Sequence, residues 1–256
     1  RVQQITKSYY LALIRAYANG HTPSLDFFAR SADAFRPYGI DSEVIIANEY
    51  RPDPNTSSVV IDDFQSNWDE ETAASGAELT YSVESFNEGK LDDANANLSW
   101  NGDDPMNGMT QACCDGDQNR GVVFEWDTPS DITWHLQEDL QDFRAFTFIS
   151  VRAAQGTRND NTVDLNAGLD FSVSLSDSSG TTSTIWTGDM GQITTPYKRT
   201  GLGRGAGWSN EFSTIRMRVA AFKDGQPSLD LQHIESVRFD FGVDHGSAFG
   251  RLGIDD

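Results

Sequence analysis

Hydrophobic residues follow two different periods along this chain, one in the first fifty residues and another beyond them. Val2, Ile5, Tyr9 and further apolar residues up to Tyr17 recur at spacings of three and four, which predicts an amphipathic helix from about Gln3 to Ala18. Asn19 and Gly20 follow as a C-cap would. Ser24 is placed to cap a second short helix that contains two phenylalanines. The beginning of the chain is therefore predicted to be helical.

A polar connector with two prolines, residues 51–58, is the clearest boundary in the chain. Beyond it the helical period disappears, and short apolar runs alternate with clusters of Gly, Asp, Asn and Ser. Such runs without helices between them predict an antiparallel β-sandwich or jelly roll. We therefore predict a helical segment over 1–52, either the remnant of another domain or a prop, and a mainly β module over 57–256. The strand candidates are Val59–Phe64, Ala77–Phe86, Leu98–Trp100, Gly121–Trp126, Phe146–Ala153, Leu169–Leu175, Thr182–Trp186, Phe212–Val219, Ser236–Phe241 and Arg251–Ile254.

Charge narrows the range of partners. The chain carries 39 acidic and 19 basic residues, a formal net charge of −20, which repels phosphate backbones and anionic membranes. No apolar run approaches the ~20 residues of a membrane span. Solubility in a salty medium, calcium sites, or both would account for the acidity. Because the chain opens on Arg1 without a methionine or signal peptide, we expect a mature or excised portion of a longer precursor.

The two cysteines are adjacent, at Cys113 and Cys114. They could form a vicinal disulfide, remain free, or pair outside this chain. Zinc is disfavoured because it needs about four ligands and no histidine is close in sequence.

The sequence gives no sign of a self-contained active site. The nucleophile motif G-x-S-x-G is absent, and the stretch from Gly246 to Gly250 has its serine one place too early. The four histidines form no H-x-x-x-H metal pattern. Pairs of carboxylates are too abundant in this acidic chain to identify a glycosidase.

Metal ligands are suggested by acidic pairs in two apolar runs. Asp62 and Asp63 close the first strand candidate, and Asp255 and its neighbour close the last. If these strands adjoin, carboxylates and backbone carbonyls could supply the six to eight oxygens of a structural calcium site. The alternative is that these residues are solvated strand ends or turn caps.

A second candidate calcium site lies in the loop that contains Asp115 and Asp117. It begins like an EF-hand loop, but glycine comes at the seventh place instead of the sixth, and Trp126 replaces the final glutamate. The alternative is an ordinary Gly/Asp turn.

A ligand site is predicted around Trp208. The sequence places this residue in a polar loop with Arg204 and Asn210, after Tyr197. An aromatic ring beside donors is what a sugar needs, with an apolar face to stack on and groups that bond its hydroxyls. The alternative is that Trp208 folds back and plugs one end of the sandwich.

Three stretches carry a resemblance: Val60–Phe64, Trp208 with the run Phe212–Phe222, and Gly250–Asp256. They resemble the galactose-binding-like jelly rolls found among carbohydrate-binding modules. The resemblance implies a jelly roll in which calcium joins the opening strand's acid, Asp63 or Asp62, to Asp255. Gln65 departs from the glutamate common in that family, and the closing strand is shorter than the family's.

The first helix resembles a different family. Residues 6–20 are similar to the last helix of secreted α/β-hydrolases of the esterase or dienelactone-hydrolase kind, which implies a nucleophile, acid and base upstream of Arg1. The leading hypothesis is a non-catalytic accessory module of a secreted hydrolase that binds carbohydrate or polymeric substrate and is stabilised by calcium. One alternative is the C-terminal portion of a functioning serine ester hydrolase. Another is a structural or adhesion domain.

Overall fold

The computed structural model describes residues 2–24, 26–29, 37–41, 44, 58–91, 106, 108–109, 120–200 and 206–255. The predicted calcium ligands Asp115 and Asp117, both cysteines and Arg204 lie outside these residues, as does the strand candidate Leu98–Trp100. Within the described part of the chain, no helix is both long and apolar enough to cross a membrane.

The helices are short after the first, and the strands dominate. The helices are α1 (Val2–Tyr17), α2 (Asp26–Ala29), α3 (Asp160–Leu165) and α4 (Val219–Gly225), with 3₁₀ turns at Thr22–Ser24, Glu138–Leu140, Phe143–Ala145 and Thr187–Met190. The strands are β1 (Glu78–Tyr81), β2 (Glu84–Lys90), β3 (Arg120–Trp126), β4 (Ser130–His135), β5 (Phe148–Gln155), β6 (Ser172–Asp177), β7 (Thr182–Trp186), β8 (Tyr197–Thr200), β9 (Ala206–Ser209), β10 (Ser213–Arg218), β11 (Ile234–Phe241) and β12 (Gly250–Asp255).

Two five-stranded antiparallel sheets form the sandwich. We call them sheet A, ordered β1-β4-β11-β6-β7, and sheet B, ordered β10-β5-β12-β3-β2. Leaving aside the hairpin of β8 and β9, the chain from β3 to β12 changes sheet at every connection except that between β6 and β7. Eight strands paired in this way are two Greek keys, a jelly roll. The predicted antiparallel jelly-roll fold is therefore confirmed.

Alternating side chains build the core between the sheets. In β11, Val237, Phe239 and Phe241 point inward while Arg238 and Asp240 point outward. The ring of Phe241 is fully buried and lies among several aromatic neighbours. Its centroid is 4.7 Å from Trp126, 5.1 Å from Phe124 and 5.4 Å from Phe171.

The opening strand predicted over Val59–Phe64 is wrong, because residues 58–66 have irregular backbone. The side chain of Asp62 accepts hydrogen bonds from the backbone N–H groups of Phe64 (3.2 Å) and Ala74 (3.3 Å). Phe64 itself has a positive φ of 51°. Such local side-chain bonds offer the backbone an alternative to a sheet ladder.

Helix α1 forms as predicted, but its apolar side chains are largely exposed. Tyr9 lies against Phe27, with ring centroids 4.8 Å apart. Leu13 is 43% exposed and Tyr17 is 76% exposed, and only Ala12 of this helix is buried. The structure thus leaves most of the apolar surface of this helix open to solvent.

Candidate functional site

The hairpin of β8 and β9 carries the two aromatic residues of the predicted ligand site. Trp208, which we expected in a loop, lies in β9. The register pairs Tyr197 with Ser209 and Lys198 with Trp208. Because alternate residues of a strand point to opposite faces, Tyr197 and Trp208 lie on opposite faces of the hairpin. The two rings therefore do not form one continuous stacking surface.

Asn210 has a structural role instead of the predicted contact with ligand. Its side chain is 5% exposed. Its Nδ2 donates to the backbone carbonyls of Gly108 (3.0 Å) and Gln155 (2.8 Å), and lies 3.7 Å from the Met109 sulfur. Both amide hydrogens have acceptors within the protein, which offsets the cost of burying the group. Asn210 therefore anchors the end of the hairpin to β5.

Tyr197 is the exposed member of the site. Its side chain is 38% exposed, and its hydroxyl donates a hydrogen bond of 2.5 Å to Oε1 of Glu211. Lys198 and Glu211 are exposed, and Trp208 is half-buried. The hairpin thus offers an aromatic ring, a carboxylate and an ammonium group to solvent, next to the anchor at Asn210.

A second hydrophobic cluster covers the central outer face of sheet B. Its members are Leu91, Met106, Met109, Val123, Ala154 and Phe212. Glycine on the sheet makes room for the two methionines: a Cβ at Gly253 would overlap the Met109 sulfur, and one at Gly89 would lie 3.2 Å from Met106. Sheet B is therefore packed on both faces there, and the hairpin lies beside this layer. The sequence contained a signal for this layer. Gly89, Gly121 and Gly253 occupy outward strand positions, where glycine makes room for side chains packed on the sheet.

Asp255 lies opposite Arg152 on the outer side of sheet B. Arg152 Nη1 donates to Asp255 Oδ2 at 2.7 Å, and the side chains are only 3% and 0% exposed. The ring of Phe212 covers the guanidinium, with its centroid 5.3 Å from Cζ. Asp255 therefore belongs to a buried ion pair within the sheet.

Asp62 and Asp63, which we expected beside Asp255, make their hydrogen bonds with other residues. Trp134 Nε1 donates to Asp62 Oδ2 at 3.2 Å. Burial raises the pKa of Asp62, although hydrogen bonds from Trp134, Phe64 and Ala74 offset part of this effect. Partial burial also raises the pKa of Asp63, but hydrogen bonds from Ser66 and Gln65 outweigh it, and the net pKa is lowered. Asp63 is thus a turn-capping residue here, one of the two roles left open by the sequence.

Glu88 is an acidic residue of this region that sequence reasoning missed. It faces inward from β2, and its side chain is only 7% exposed. Burial raises its pKa to about 7, with a further contribution from the negative charge of Asp62, while Arg120, 4.0 Å away, lowers it. Its buried Oε1 has no hydrogen-bond donor within the described part of the chain.

A buried carboxylate oxygen without a donor is what a hard cation would take as a ligand. Nevertheless, among the residues that the structure describes, no three His, Cys, Asp or Glu side chains converge to hold a metal. Glu88 and Asp62 fit a calcium site only if backbone carbonyls supply most of the oxygens.

Comparison by sequence, with protein families and with curated proteins, finds no match. Comparison with solved structures finds carbohydrate-binding modules. One is the C-terminal family 22 module of Clostridium thermocellum Xyn10B, with a TM-score of 0.37 and 11% identity over 80% of this chain and 93% of that one. Another is the family 11 module from Clostridium thermocellum in complex with a β-1,3-1,4-mixed-linked tetrasaccharide, with a TM-score of 0.33 and 15% identity over 71% of this chain and 81% of that one. A third, TmCBM61 in complex with β-1,4-galactotriose, has a TM-score of 0.29 and 14% identity over 70% and 84%. Likeness at this level does not bear on the ligand of this chain.

Proposed function

We propose that the jelly roll is a non-catalytic carbohydrate-binding module and that its sugar-contacting element is the hairpin of β8 and β9. One observation carries the proposal: the exposed ring of Tyr197 is fixed by its 2.5 Å hydrogen bond to the exposed Glu211. A sugar stacks its apolar face on an aromatic ring and bonds its hydroxyls to nearby polar groups. The ring of Tyr197 supplies the surface for stacking, and the carboxylate of Glu211 supplies a group that bonds hydroxyls.

The anchor at Asn210 supports this role. Its bonds to Gly108 and Gln155 hold the hairpin to the sheet, so that little conformational freedom is lost when a ligand binds. The net charge of −20 disfavours anionic polysaccharides through repulsion. A neutral glycan is therefore the proposed ligand class.

Replacing Tyr197 by Ala is expected to weaken binding of a neutral oligosaccharide about tenfold, the loss of roughly 1.4 kcal/mol of stacking. The measurement is isothermal titration calorimetry with the two oligosaccharides found in the similar structures and a wider glycan panel. Trp208→Ala tests the opposite face of the hairpin in the same way.

Trp186→Ala is the matched control, because Trp186 is 44% exposed but lies on β7 in sheet A. It should bind like the unaltered protein. Absence of any neutral glycan binding, or an equal loss in the Trp186 variant, would contradict the proposal and favour a structural or adhesion role.

We also propose that the module is an accessory to a secreted hydrolase. The exposed apolar side chains of α1, including Tyr10, Ile14 and Tyr17, are suited to packing against a catalytic domain. Turnover of short acyl esters by this chain alone would instead favour the alternative, a functioning ester hydrolase. The acidic surface suits an extracellular, salt-rich medium, in which it would be screened.

A structural calcium ion is a further proposal, with Glu88 and Asp62 as its carboxylate ligands and backbone carbonyls as the others. Calcium would supply a positive charge between carboxylates that otherwise repel each other. Asp255 is left out because it already neutralises Arg152.

Protection by calcium is expected to depend on pH. The Glu88 pKa is raised from 4.5 to about 7, so the folded protein holds this proton more tightly than the unfolded chain does. Without metal, the contribution of protonated Glu88 to stability is fully present below pH 4.5 and is lost as the pH rises through about 7. Calcium needs the carboxylate deprotonated, so its protection should increase over the same range.

The measurement is the melting temperature, Tm, with calcium or EDTA at about pH 5 and about pH 8. At pH 8 we expect calcium to raise Tm by several degrees, since a hundredfold excess over Kd stabilises by about 2.7 kcal/mol. Glu88→Gln should abolish both the calcium effect and its pH dependence, whereas Glu84→Gln, exposed on the same strand, should keep both. Equal protection by magnesium at matched ionic strength would show general screening and refute the site.

A further inference from the structure

Trp68 carries an aromatic ring that the functions proposed above do not use. Its side chain is 74% exposed. The guanidinium of Arg120, the first residue of β3, lies over the ring with Cζ 4.3 Å from the ring centroid. Because this cation covers one face of the indole, an exposure of this size means that the opposite face is open to solvent. We call the open ring and the guanidinium behind it the Trp68 platform.

The loop that carries Trp68 is held in place by its own polar side chains. Asn67 Nδ2 donates to the backbone carbonyl of Thr72 at 2.6 Å, and Asn67 Oδ1 accepts from the N–H of Asp69 at 3.1 Å. Asp69 Oδ1 accepts in turn from the N–H of Glu71 at 3.1 Å. Thr72 also forms a β-bridge to the start of β1. The stacked cation and the pinned loop fix the ring before a ligand arrives, so little conformational freedom is lost on binding.

The surroundings of the ring select the class of ligand. Asp69 is exposed and Glu70 is half-buried, and their charges repel anionic ligands. A cation on the open face would be repelled by Arg120, which already uses the attraction of the ring for a positive charge. Trp68 is the single apolar residue within residues 65–72, whereas the centre of a protein interface is built from several. A neutral sugar fits this setting, because its apolar face stacks on the ring and its hydroxyls donate to the carboxylates.

We propose that the Trp68 platform is a second neutral-glycan site, separate from the hairpin that carries Tyr197. The hairpin is anchored at Gln155, which is level with Phe124 of β3 across β12. Arg120 lies four residues before Phe124, so the two anchors are roughly 16 Å apart by the spacings of a sheet. Two sites on one rigid module hold two stretches of a polysaccharide, and the second contact becomes intramolecular. The inference shares the proposed ligand class but does not depend on the site at Tyr197.

The test is calorimetric titration of the whole chain with β-1,4-linked tetrasaccharides of glucose, xylose, mannose or galactose. We expect two sites per chain for the tetrasaccharide that binds. Trp68→Ala should remove one site and leave the other unchanged, whereas Trp68→Phe, which keeps a ring for stacking, should retain both. Trp186→Ala, at an exposed tryptophan of sheet A, is the control and should also retain both. Thermal unfolding of each variant checks that the chain is folded.

The soluble polysaccharide built from the same sugar tests the link between the sites. Trp68→Ala should lower the apparent affinity for it at least tenfold, because the second, intramolecular contact is lost. If Trp68→Ala removes a site and Tyr197→Ala does not, the hairpin proposal fails while that at Trp68 stands. Unchanged binding by Trp68→Ala overturns the proposal at Trp68 alone, and absence of all neutral glycan binding overturns both. Binding of choline or of a galacturonate oligosaccharide at Trp68 in place of the neutral sugars would also overturn it.

Discussion

Replacing Asp255 by Ala is expected to lower the free energy of unfolding by about 3–5 kcal/mol, because it removes a buried carboxylate that is ion-paired with the buried Arg152 guanidinium. The two side chains are 0% and 3% exposed and are joined at 2.7 Å. For a protein of this size the loss corresponds to a fall in Tm of about 6–20 °C, measured by calorimetry or circular dichroism. The fall should be the same with calcium and with EDTA.

Two control variants distinguish the loss of a buried ion pair from the loss of a surface charge or of a metal ligand. Asp142→Asn removes the partner of Arg144 in an ion pair whose side chains are 58% and 47% exposed, and should leave Tm unchanged. The double replacement of Arg152 by Met and Asp255 by Leu should recover much of the stability, since an apolar pair avoids burying charge. A Tm deficit in Asp255→Ala that disappears with EDTA would instead support a metal-binding Asp255.

Phe241→Ala is expected to destabilise the jelly roll by about 3–5 kcal/mol, through lost burial and the cavity that remains. Phe241 is fully buried between the sheets, where it contacts Trp126, Phe124 and Phe171. The measurement is unfolding in urea, with the slope m checked for constancy.

Phe146→Ala is the matched comparison, because Phe146 is half-buried and lines the large cavity whose other wall is formed by residues 58–66. Its loss should cost clearly less. Equal costs for the two phenylalanines would mean that the aromatic cluster around Phe241 is not the centre of the core.

The hydrophobic pattern predicted much of the fold. Alternation in β6 and β11, turn residues between short runs and the absence of helical period beyond residue 58 together indicated an antiparallel jelly roll. These signals are local, since a strand with one buried face must alternate whatever its partner is. The same pattern failed for Val59–Phe64, where hydrogen bonds that the Asp62 carboxylate accepts from the backbone N–H groups of Phe64 and Ala74 compete with a strand.

The sequence predicted the residues of the candidate site but not their surroundings. Tyr197 is exposed, whereas Asn210 is an anchor, and Trp208 lies on the opposite face of the hairpin. Neither fact follows from the exposed polar loop that the sequence predicted. Whether an asparagine faces solvent or bonds to buried carbonyls depends on the strand beneath it, which is distant in sequence.

The sequence by itself determined the period of each element, the acidic surface and the choice of a β-sandwich, because these follow from neighbours along the chain. Only the tertiary structure decided the roles of the charged residues. Asp255 neutralises Arg152 from 103 positions away, and Glu88 acquires a raised pKa from burial beside Asp62. The physical reason is that burial, hydrogen-bonding partners and the local electric field depend on which residues lie nearby in space. The periodicity of a strand defines its two faces, but it does not define which residues pack against them.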